Sequence, residues 1–457
     1  MSPARKVWSV HKPVGIIEVR IWGRRVGALA LDPKLGYYAF EYDRTFTAAG
    51  IELAPLTMPL SMASSPFIFP GLPELTFKRL PGMIADALPD DFGNLLIDAW
   101  MASKGLDRSK ITPLDRLAYM GKRGTGALEF KPAIRAGQES TAIKLSRLVE
   151  SARRAVQSDV GTEHMAKTAL MQIIRVGTSA GGARAKAAIA WNPETDEIRS
   201  GQFDVDPDFE HWILKFDGMG ADRELGGSQN YGRIEYAYYL MARRAGVSMS
   251  PCRLMEENGR AHFMTRRFDR DGNVKHHMQT LCAMMHLDYK QKATHDYNQL
   301  FMAIEQLRLG DAAMEEAFRR AAFNVMAANC DDHTKNFSFI LRQAGKWELA
   351  PAYDLTHAYN PKGEWTYQHL MAVNGKFSDV TFEDFHVVAD RFGIANAKKI
   401  LGQVQEAVEA WPEFATQAGI SEGDIERIRG HHHLILPASR SVSHNSKDND
   451  ANLYKSD

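Results

Sequence analysis

Short apolar runs, interrupted at regular intervals by polar residues, predict the secondary structure along most of this chain. Between residues 14 and 60, the segments IIEVRIW, VGALALD and YYAFEYD alternate apolar and polar side chains, with GRR between the first two. A period of two is that of a strand with one buried face, so these segments predict a small antiparallel sheet. Residues 81–130 instead space their apolar residues as an amphipathic helix does, around Leu95, Leu96 and Trp100, and predict a helical stretch.

A segment that contains proline and glycine, FKPAIRAGQES, ends this region. Such a segment is typical of a connection between structural units, and it predicts a domain boundary near residue 140. We therefore expect a first domain at residues 1–140 and a second at residues 141–437. Residues 438–457 contain almost no aliphatic side chains. This composition predicts a disordered tail, because too little apolar surface is available to bury.

The second domain is predicted to have two parts. Within residues 141–270, SRLVESARRAV and HMAKTALMQIIRV have helical spacing, whereas KAAIAWN, FEHWILKFD and RAHFMTRRFDR have the composition of strands. Residues 271–437 predict helices, interrupted by NCDDHTKN and by FSFILRQAGKWELAPAYDL, which predicts a hairpin. A mixed part followed by a mostly helical part is typical of the α+β class.

Composition narrows the possible functions without selecting one. The chain has 56 basic and 56 acidic residues, so it lacks the basic excess that a nucleic-acid-binding protein usually carries. Its three cysteines, Cys252, Cys282 and Cys330, form no CxxC pair, so neither a zinc site nor a disulfide framework is indicated. Without a signal-peptide pattern or an apolar run of about 18 residues, the chain is expected to be cytoplasmic and to have no membrane span.

The cluster NCDDHTKN, residues 329–336, follows the amphipathic segment DAAMEEAFRRAAFNVMAA. Asp331 and Asn336 are five positions apart, which is the step between the acid and the asparagine of the protein-kinase catalytic loop H-R-D-x-x-x-x-N. In that loop the aspartate accepts the proton of the substrate hydroxyl, and the asparagine holds a metal ion. Lys335 is placed to neutralise charge on a transferred phosphoryl group. The pattern therefore predicts phosphoryl transfer.

A second acid follows at the distance that this chemistry needs. Asp354, in PAYDLT, lies 23 residues after Asp331, and the intervening segment is long enough for the predicted hairpin. Two acids and an asparagine offer the hard oxygen ligands that suit Mg²⁺. Two other interpretations remain for the cluster. One is a transition-metal site made of Asp331, Asp332 and His333, although no HExxH pattern accompanies it; the other is a polar helix terminus.

Two further features fit a nucleotide site. The segment VGTSAGGARAKAAIAW, residues 176–191, has three glycines within six positions, and backbone N–H groups of such a loop can approach phosphates closely. Lys215, in HWILKF, lies on a predicted strand and could pair with phosphates while a helical carboxylate, Glu235, holds it. The alternatives are an ordinary glycine turn, a solvent-facing lysine and a solvated helix face. HHH at 431–433 is expected to be a surface histidine cluster.

Several separate motifs, in order along most of the chain, resemble those of the HipA family of toxin kinases from bacterial toxin–antitoxin systems. They are N-x-D-x-H-x-K-N with A-P-A-Y-D-L after it, RLPGMIADALPDDFGNLL, DRLAYMGKRGTGALEF, SAGGARAKAAI and RRFDR. The resemblance implies an α+β, atypical protein-kinase-like fold with a small N-terminal β-sheet subdomain and a mostly helical C-terminal lobe. It also implies an ATP- and Mg²⁺-dependent serine/threonine protein kinase.

The resemblance assigns roles to individual residues. Asp331 would be the general base, Asn336 and Asp354 would hold Mg²⁺, and Ser179 would be the autophosphorylated residue, with Thr178 as its competitor. The residues at the nucleotide would be Gly181, Gly182, Ala183, Arg184, Ala185, Lys186, Lys215, Arg266, Arg267, Phe268, His333, Thr334, Lys335, Asn336, Tyr353 and Asp354. The sequence departs from the family pattern in three places: Arg266, where an acid is usual, the added stretch ETDEIRSGQFDVDPD, and the two glycines with Arg184 in the glycine-rich loop.

The family's partners follow from the same resemblance. The implied substrate is a protein of translation such as an aminoacyl-tRNA synthetase, and the implied partner is a HipB-like helix-turn-helix antitoxin. DNA would be contacted mainly through that antitoxin, and no membrane is involved. Two other functions remain open: a catalytically silent scaffold that acts as a co-repressor, and a kinase for a small molecule. The retained Lys215, Asp331, Asn336 and Asp354 argue against a silent scaffold, because a scaffold has no chemical need for all four.

Overall fold

The alternating N-terminal segments form a five-stranded sheet, as the pattern predicted. The computed structural model describes residues 13–89, 91–103, 106–133, 144–157, 185–217 and 230–435. The strands of this sheet are β1 (Ile16–Ile21), β2 (Arg24–Leu31), β3 (Tyr38–Tyr42), β4 (Phe67–Ile68) and β5 (Leu128–Lys131), in the order β4-β3-β2-β1-β5. Ile17, Val19 and Ile21 of β1 are fully buried, because alternate side chains of a strand point to the same face.

Residues 81–130 contain helices, as predicted, but the last residues of this stretch form a strand instead. The helices of the first domain are α1 (Arg44–Ala48), α2 (Glu74–Phe77), α3 (Gly82–Ala85), α4 (Asp91–Ser103) and α5 (Pro113–Met120). The end of the stretch, together with the first residues of the predicted turn FKPAIRAGQES, is β5, which pairs with β1 from Leu128↔Ile21 to Lys131↔Glu18. A strand this short has too few residues for its periodicity to be recognised, and only the pairing with β1 defines it.

A second five-stranded sheet opens the other domain. Its strands are β6 (Lys186–Trp191), β7 (Ile198–Ser200), β8 (Glu210–Lys215), β9 (Cys252–Glu257) and β10 (Arg260–Arg266), in the order β7-β6-β8-β10-β9. The three strands predicted for this part are confirmed, and the added stretch ETDEIRSGQFDVDPD forms the turn after β6, the strand β7 and the connection to β8. The predicted helix HMAKTALMQIIRV lies outside the described residues.

Within the described part of this domain, two helices accompany the sheet. They are α6 (Leu145–Gln157) and α7 (Tyr231–Arg244). A Cβ atom on Gly232 would lie 2.0 Å from the carbonyl oxygen of Ala261, so only glycine permits α7 to lie this close to β10. The position of α7 matters for the site, because α7 carries Glu235.

The remaining elements form a mostly helical lobe, as predicted. Its helices are α8 (Leu281–Met285), α9 (Tyr297–Gln306), α10 (Asp311–Met326), α11 (Phe382–Phe392), α12 (Ala397–Glu409), α13 (Trp411–Gln417) and α14 (Glu422–Arg429). Its short strands are β11 (Arg270–Asp271), β12 (Val274–Lys275), β13 (His277–Thr280), β14 (His295–Asp296), β15 (Ser338–Leu341), β16 (Trp347–Leu349) and β17 (Met371–Ala372). The predicted hairpin is β15–β16, and β13 pairs with its β15 edge. No helix in the described ranges is both long and apolar enough to cross a membrane.

Histidines 431–433 are not simply a surface cluster. His431 and His432 are partly buried, and Nδ1 of His431 lies 2.9 Å from Nε2 of His357. The ring of His432 packs 5.7 Å from that of Trp411, and burial lowers the pKa of His432 to about 4. These contacts attach the end of the described chain to the helical lobe.

A buried ion cluster joins the two domains next to β10. The carboxylate of Asp269 accepts hydrogen bonds from Arg267, from Arg270 and, over 2.7 Å, from the backbone N–H of Gly126. Burial alone would raise the pKa of Asp269, but the two arginines lower it below its usual range. Arg270 also donates to the carbonyls of Gly124 and Gly126. Gly124 and Gly126 belong to the motif GKRGTG at residues 121–126, which resembles a phosphate-binding loop in sequence. In the structure this motif connects the two domains.

His286 makes a second connection. The backbone N–H of Gly82 at the start of α3 donates to Nε2 of His286 over 3.0 Å. A Cβ atom on Gly82 would lie 2.4 Å from the carbonyl oxygen of Ala283, so glycine is required for this contact. Burial lowers the pKa of His286 to about 4. The imidazole is therefore neutral near pH 7, as an acceptor nitrogen must be.

Acidification is expected to weaken the fold partly through His286. The pKa of His286 is about 4 in the folded protein and about 6.5 in an unfolded chain. The unfolded chain therefore binds a proton first as the pH falls, and the stability that neutral His286 contributes is present above pH 6.5 and lost towards pH 4. This pKa difference corresponds to at most about 3 kcal/mol.

The measurement is urea denaturation at pH 7.5 and at pH 4.5. The free energy of unfolding should fall less between these pH values in His286→Gln than in the wild type, because glutamine keeps an acceptor but does not titrate. His386→Gln, at a side chain of α11 that is 56% exposed, is the matched control and should behave as the wild type. An equal fall in all three proteins would contradict the role of His286.

Candidate active site

The acidic cluster forms the loop between α10 and β15. At its start, Nδ2 of Asn329 donates to Oδ1 of Asn324 over 2.8 Å, which ties the loop to the helix. At its end, Thr334–Asn336 make one turn of 3₁₀ helix. Between them, Nδ2 of Asn336 donates to the carbonyl oxygen of Asp331 over 2.7 Å. The two residues that the sequence spacing singled out are therefore held together by the loop itself.

Asp331 and Asp332 are adjacent in sequence but have opposite environments. The side chain of Asp331 is 49% exposed, and its Oδ1 lies 3.7 Å from Nε2 of His333. Asp332 is fully buried. Of the two acids, only Asp331 is accessible to a substrate hydroxyl, in agreement with its spacing from Asn336.

Asp332 anchors the loop to the rest of the lobe. Its carboxylate accepts hydrogen bonds from the hydroxyl of Tyr297 at 2.8 Å, from Nδ1 of His369 at 3.0 Å and from the backbone N–H of Leu370 at 2.7 Å. Burial alone would lower the pKa of His369, but the Asp332 carboxylate raises it well above its usual value. His369 is therefore a buried imidazolium that neutralises Asp332, and the pair fixes the loop of residues 329–336 against residues 369–371.

Lys215 lies at the centre of a second charged cluster. It is the last residue of β8, and its Nζ donates to Oε1 of Glu235 on α7 and to Oδ1 of Asp354. The side chain of Glu235 is 2% exposed and that of Lys215 is 12% exposed. Burial alone would lower the pKa of Lys215, but the carboxylates of Asp354 and Glu235 raise it above its usual value. The ion pair predicted between Lys215 and Glu235 is confirmed.

Lys186 brings a second cation to the same carboxylate. It is the first residue of β6, pairs with Lys215 across the two strands, and is buried. Burial alone would raise the pKa of Asp354, but Lys215 and Lys186 lower it below its usual range. Asp354 is therefore ionised, which suits it to interact with a cation.

The backbone at Asp354 has an unusual conformation. Its φ is 54°, in the left-handed region that residues other than glycine rarely adopt. Conformations of this kind persist where the surrounding structure enforces them, and they concentrate at functional sites. Here the ion pair with Lys215 is such a constraint.

Tyr353 connects the loop of residues 329–336 to the strands around it. Its hydroxyl donates to the carbonyl oxygen of Lys335 over 2.7 Å and lies 2.5 Å from Oγ of Ser338 on β15. Its ring centroid is 5.9 Å from that of Phe268, just after β10. Tyr353 and Phe268, both predicted at the nucleotide, are thus in contact with each other.

The other predicted residues of the loop have distinct positions. Thr334 is fully buried. The ring of His333 packs 5.1 Å from that of Tyr289, and Nζ of Lys335 lies 5.0 Å from the centroid of the same ring. His333 and Lys335 therefore remain at the partly exposed side of the loop, on which Asp331 lies.

Two of the residues predicted at an adenine hinge use their polar groups within the protein. The backbone N–H of Arg266 donates to the carbonyl oxygen of Pro251, and that of Arg267 donates to the carbonyl oxygen of His211, each over 2.9 Å. The side chain of Arg267 is buried in its ion pair with Asp269. Arg266 is exposed, and its guanidinium lies 3.3 Å from Glu210. A contact of either residue with adenine through its backbone N–H would require these bonds to rearrange.

Part of the predicted site lies outside the described residues. This applies to Thr178, Ser179, Gly181, Gly182, Ala183 and Arg184. Ala185, the next residue, is buried, and its carbonyl oxygen accepts from the backbone N–H of Phe216 over 3.0 Å. The segment that precedes β6 thus leads directly to Lys186, opposite Lys215.

The ligand chemistry of the site fits Mg²⁺. Asp354 offers an ionised carboxylate, and Asn336 offers an amide oxygen, because its amide nitrogen is occupied by the carbonyl of Asp331. Hard oxygen ligands from one or two side chains, completed by phosphate and water, are what Mg²⁺ prefers. A site of Asp331, Asp332 and His333 for a transition metal is not formed, since Asp332 binds His369 in the interior. No cluster of three or more acidic, histidine or cysteine ligands occurs in the ranges that the structure describes.

Sequence reasoning missed the residues that hold the site in place. Asp332 lies four positions before Asn336 rather than five, so the kinase spacing does not include it, and nothing in the sequence pointed to Tyr297 or His369 as its partners. The histidine is 37 residues away from Asp332, so no local periodicity connects them. The one available signal was a pair of adjacent acids after an apolar helix, which is compatible with one of them facing inward.

Comparison with known proteins gives a consistent family assignment. Residues 17–131 match the model of the HipA N-terminal domain, and residues 178–411 match that of the HipA-like C-terminal domain. A curated relative, the serine/threonine-protein kinase toxin HipA of Shewanella oneidensis, is 19% identical over 413 residues, which cover 84% of each chain.

A solved structure of a HipA protein has the same fold. HipA in the toxin–antitoxin complex of HipA, HipB and operator DNA from Shewanella oneidensis matches with a TM-score of 0.63 and 17% identity, covering 91% of this chain and 94% of that chain. This structural match over most of both chains establishes an α+β kinase-like fold. The proinflammatory kinase CtkA of Helicobacter pylori matches with a TM-score of 0.32 and 11% identity, over 49% of this chain and 88% of that chain.

Removing the positive charge of Lys215 is expected to destabilise the protein. Lys215→Met removes the ammonium group that pairs with Glu235 and Asp354 in the interior, which costs about 3 kcal/mol in comparable buried pairs. Lys215→Met/Glu235→Gln should recover part of this loss, because it also removes the more deeply buried of the two carboxylates that lose this partner. Urea denaturation of the two single variants and the double variant measures the coupling. Additive changes in the free energy of unfolding would contradict the ion pair.

The two adjacent acids are expected to respond differently to the same substitution. Asp332→Asn removes the buried charge that compensates His369 and should lower the free energy of unfolding by about 3 kcal/mol. Asp331→Asn, at a half-exposed side chain, should change it by less than about 0.5 kcal/mol. The Asp332 carboxylate raises the pKa of His369. The stability that protonated His369 contributes is therefore fully present below about pH 6.5 and is lost as the pH rises through the raised pKa of the folded state. Equal effects of both variants in urea denaturation would refute this assignment.

Proposed function

The chain belongs to the HipA family, and from this premise we propose that it is an ATP-dependent serine/threonine protein kinase that acts as the toxin of a toxin–antitoxin pair. The observation that carries the proposal is the position of Lys215, held between Glu235 and Asp354. A strand lysine paired with a helical glutamate, next to an aspartate that can bind metal, is the arrangement on which protein kinases rely. Asp331, accessible on the neighbouring loop, supplies the remaining group.

Each residue has a role that its environment suits. Asp331 accepts the proton of the substrate serine or threonine hydroxyl, which its exposed carboxylate can reach. Lys215 and Lys186 present positive charge to the nucleotide phosphates, and Lys335 does so from the catalytic loop. Asn336 and Asp354 would hold Mg²⁺, which supplies charge neutralisation for phosphate oxygens. The other predicted contacts with nucleotide, from the glycine-rich segment and from Phe268 and Tyr353, belong to the same proposal.

The proposed partners follow from the relatives. The Shewanella HipA structure contains HipB and operator DNA, and we propose that this chain likewise binds a helix-turn-helix antitoxin and meets DNA mainly through it. The balance of 56 basic and 56 acidic residues fits a protein that leaves most DNA contacts to its partner. The proposed target is a cytoplasmic component of translation such as an aminoacyl-tRNA synthetase, and Ser179 is the proposed autophosphorylation site.

Loss of the Asp331 carboxylate tests the proposal. Asp331→Asn should lower phosphate transfer from ATP to serine at least about 100-fold, because a positioned general base contributes this much or more. The measurement is incorporation of γ-labelled phosphate into the purified protein, together with phosphoproteomics and growth of cells that express it. The variant should also relieve growth inhibition.

The control is Asp390→Asn on α11, where the side chain is 74% exposed; it should retain full activity. Ser179→Ala should remove the autophosphorylation while leaving transfer to other proteins. A folded wild-type protein that transfers no phosphate, yet binds an antitoxin independently of nucleotide, would refute the kinase proposal in favour of a co-repressor. Transfer only to a small molecule would refute it as well.

A further inference from the structure

Three nitrogen-bearing side chains gather on the ring of Tyr289, beside the catalytic loop. The ring centroid of Tyr289 lies 5.1 Å from that of His333, 5.0 Å from Nζ of Lys335 and 5.8 Å from Nζ of Lys290. His333 in turn lies 3.7 Å from the carboxylate of Asp331. Tyr289 therefore links the candidate base to the surface outside the nucleotide site.

A second contact between a lysine and an aromatic ring involves Lys292, two positions after Lys290. Nζ of Lys292 lies 5.0 Å from the ring centroid of Trp365 and donates to the carbonyl oxygen of Glu364 over 2.9 Å. Lys292 is exposed, whereas Trp365 is partly buried. We refer to Tyr289, Lys290, Lys292 and Trp365 together as the basic ledge.

The ledge rests on an anchored loop. The side chain of Asp288 hydrogen-bonds the hydroxyl of Thr76 and accepts from the backbone N–H of Lys290 over 3.1 Å. The carbonyl oxygen of Asp288 lies 2.8 Å from Nε2 of His295. These bonds hold the loop against the first domain on one side and against β14 on the other. A surface that is fixed in this way can select among ligands because little order is lost on binding.

The charge of the ledge is not neutralised locally. Within the described part of the chain, neither Lys290 nor Lys292 forms an ion pair. Asp288 directs its carboxylate to Thr76, and Glu364 offers Lys292 its carbonyl oxygen. Aromatic rings beneath the two ammonium groups stabilise them electrostatically. Lys292 uses one of its three N–H donors on Glu364, and its other donors can reach a carboxylate.

We propose that the basic ledge docks an acidic segment of the protein substrate, so that serines flanked by aspartate or glutamate are preferred. This inference rests on the proposed kinase function and names the substrate class of that site. The ledge adjoins the catalytic loop, where side chains next to the phosphorylated serine must lie. Single-stranded RNA fits less well, because its bases stack on open aromatic faces, and here lysines lie over the faces of Tyr289 and Trp365.

The test uses the full-length protein and serine-centred peptides with acidic, neutral or basic flanks. The wild type should use the acidic set with the highest kcat/KM. Lys292→Glu and Lys290→Glu should each raise KM for acidic peptides roughly 3- to 10-fold, the size of an exposed charge contact. The effect should lie in KM rather than in kcat, since the ledge binds the substrate but does not touch the reacting atoms.

Two controls sharpen the comparison. Lys399→Glu, at an exposed position of α12, makes the same charge change elsewhere and should leave KM for the acidic peptides unaltered. Lys290→Glu/Lys292→Glu should shift the preference towards basic flanks, because the ledge then carries two carboxylates. A rise in KM for all three peptide sets would indicate a general defect and would overturn the proposal.

Other outcomes also overturn it. Equal use of the three sets, or a preference for basic flanks by the wild type, excludes an acidic docking segment. Weaker binding of a single-stranded RNA by Lys292→Glu, with peptide preference unchanged, assigns the ledge to nucleic acid. If the wild type phosphorylates itself but no peptide, the docking proposal fails while the kinase proposal stands. If it does not phosphorylate itself either, the kinase proposal fails.

Discussion

The ion cluster around Lys215 is the interaction on which the arrangement of the site depends. An ammonium group and the carboxylate of Glu235 lie in the interior, and a buried charge is tolerated only when it is paired closely. This requirement fixes the positions of β8, α7 and Asp354 relative to one another. The contact of Gly232 with β10 serves the same end, since it sets the depth at which α7 presents Glu235.

Around this cluster, the loop of residues 329–336 divides its two acids between the interior and the surface. Asp332 and His369 form a buried pair that holds the loop, whereas the side chain of Asp331 remains about half exposed. Tyr353 adds a second attachment through the carbonyl of Lys335. A reactive side chain is best positioned when its neighbours are fixed by packing and hydrogen bonds, and the loop satisfies this condition on both sides of Asp331.

The first domain is attached close to the same region rather than at a distance from it. Gly82 bonds to His286 after α8, Thr76 bonds to Asp288 below the basic ledge, and Gly126 bonds to Asp269 next to β10. Each contact buries a polar group that has a partner, which is the condition for polar groups at an interior boundary. The first domain thereby supports the candidate site both at β10 and at the loop that follows α8.

The sequence by itself determined the features that depend on short distances along the chain. Alternation predicted β1 to β3, helical spacing predicted the C-terminal lobe, and the five-residue step singled out Asp331 and Asn336, which the loop joins by a hydrogen bond. These features can be predicted from sequence because the periodicity of apolar residues and the spacing of polar ones follow from backbone geometry within a single element. The tertiary structure alone decided that 128–131 is a strand, that Asp332 faces inward to His369, and that Lys290 and Lys292 lie over aromatic rings. Burial and pairing between residues far apart in the chain are set by how elements pack, and no local pattern contains that information.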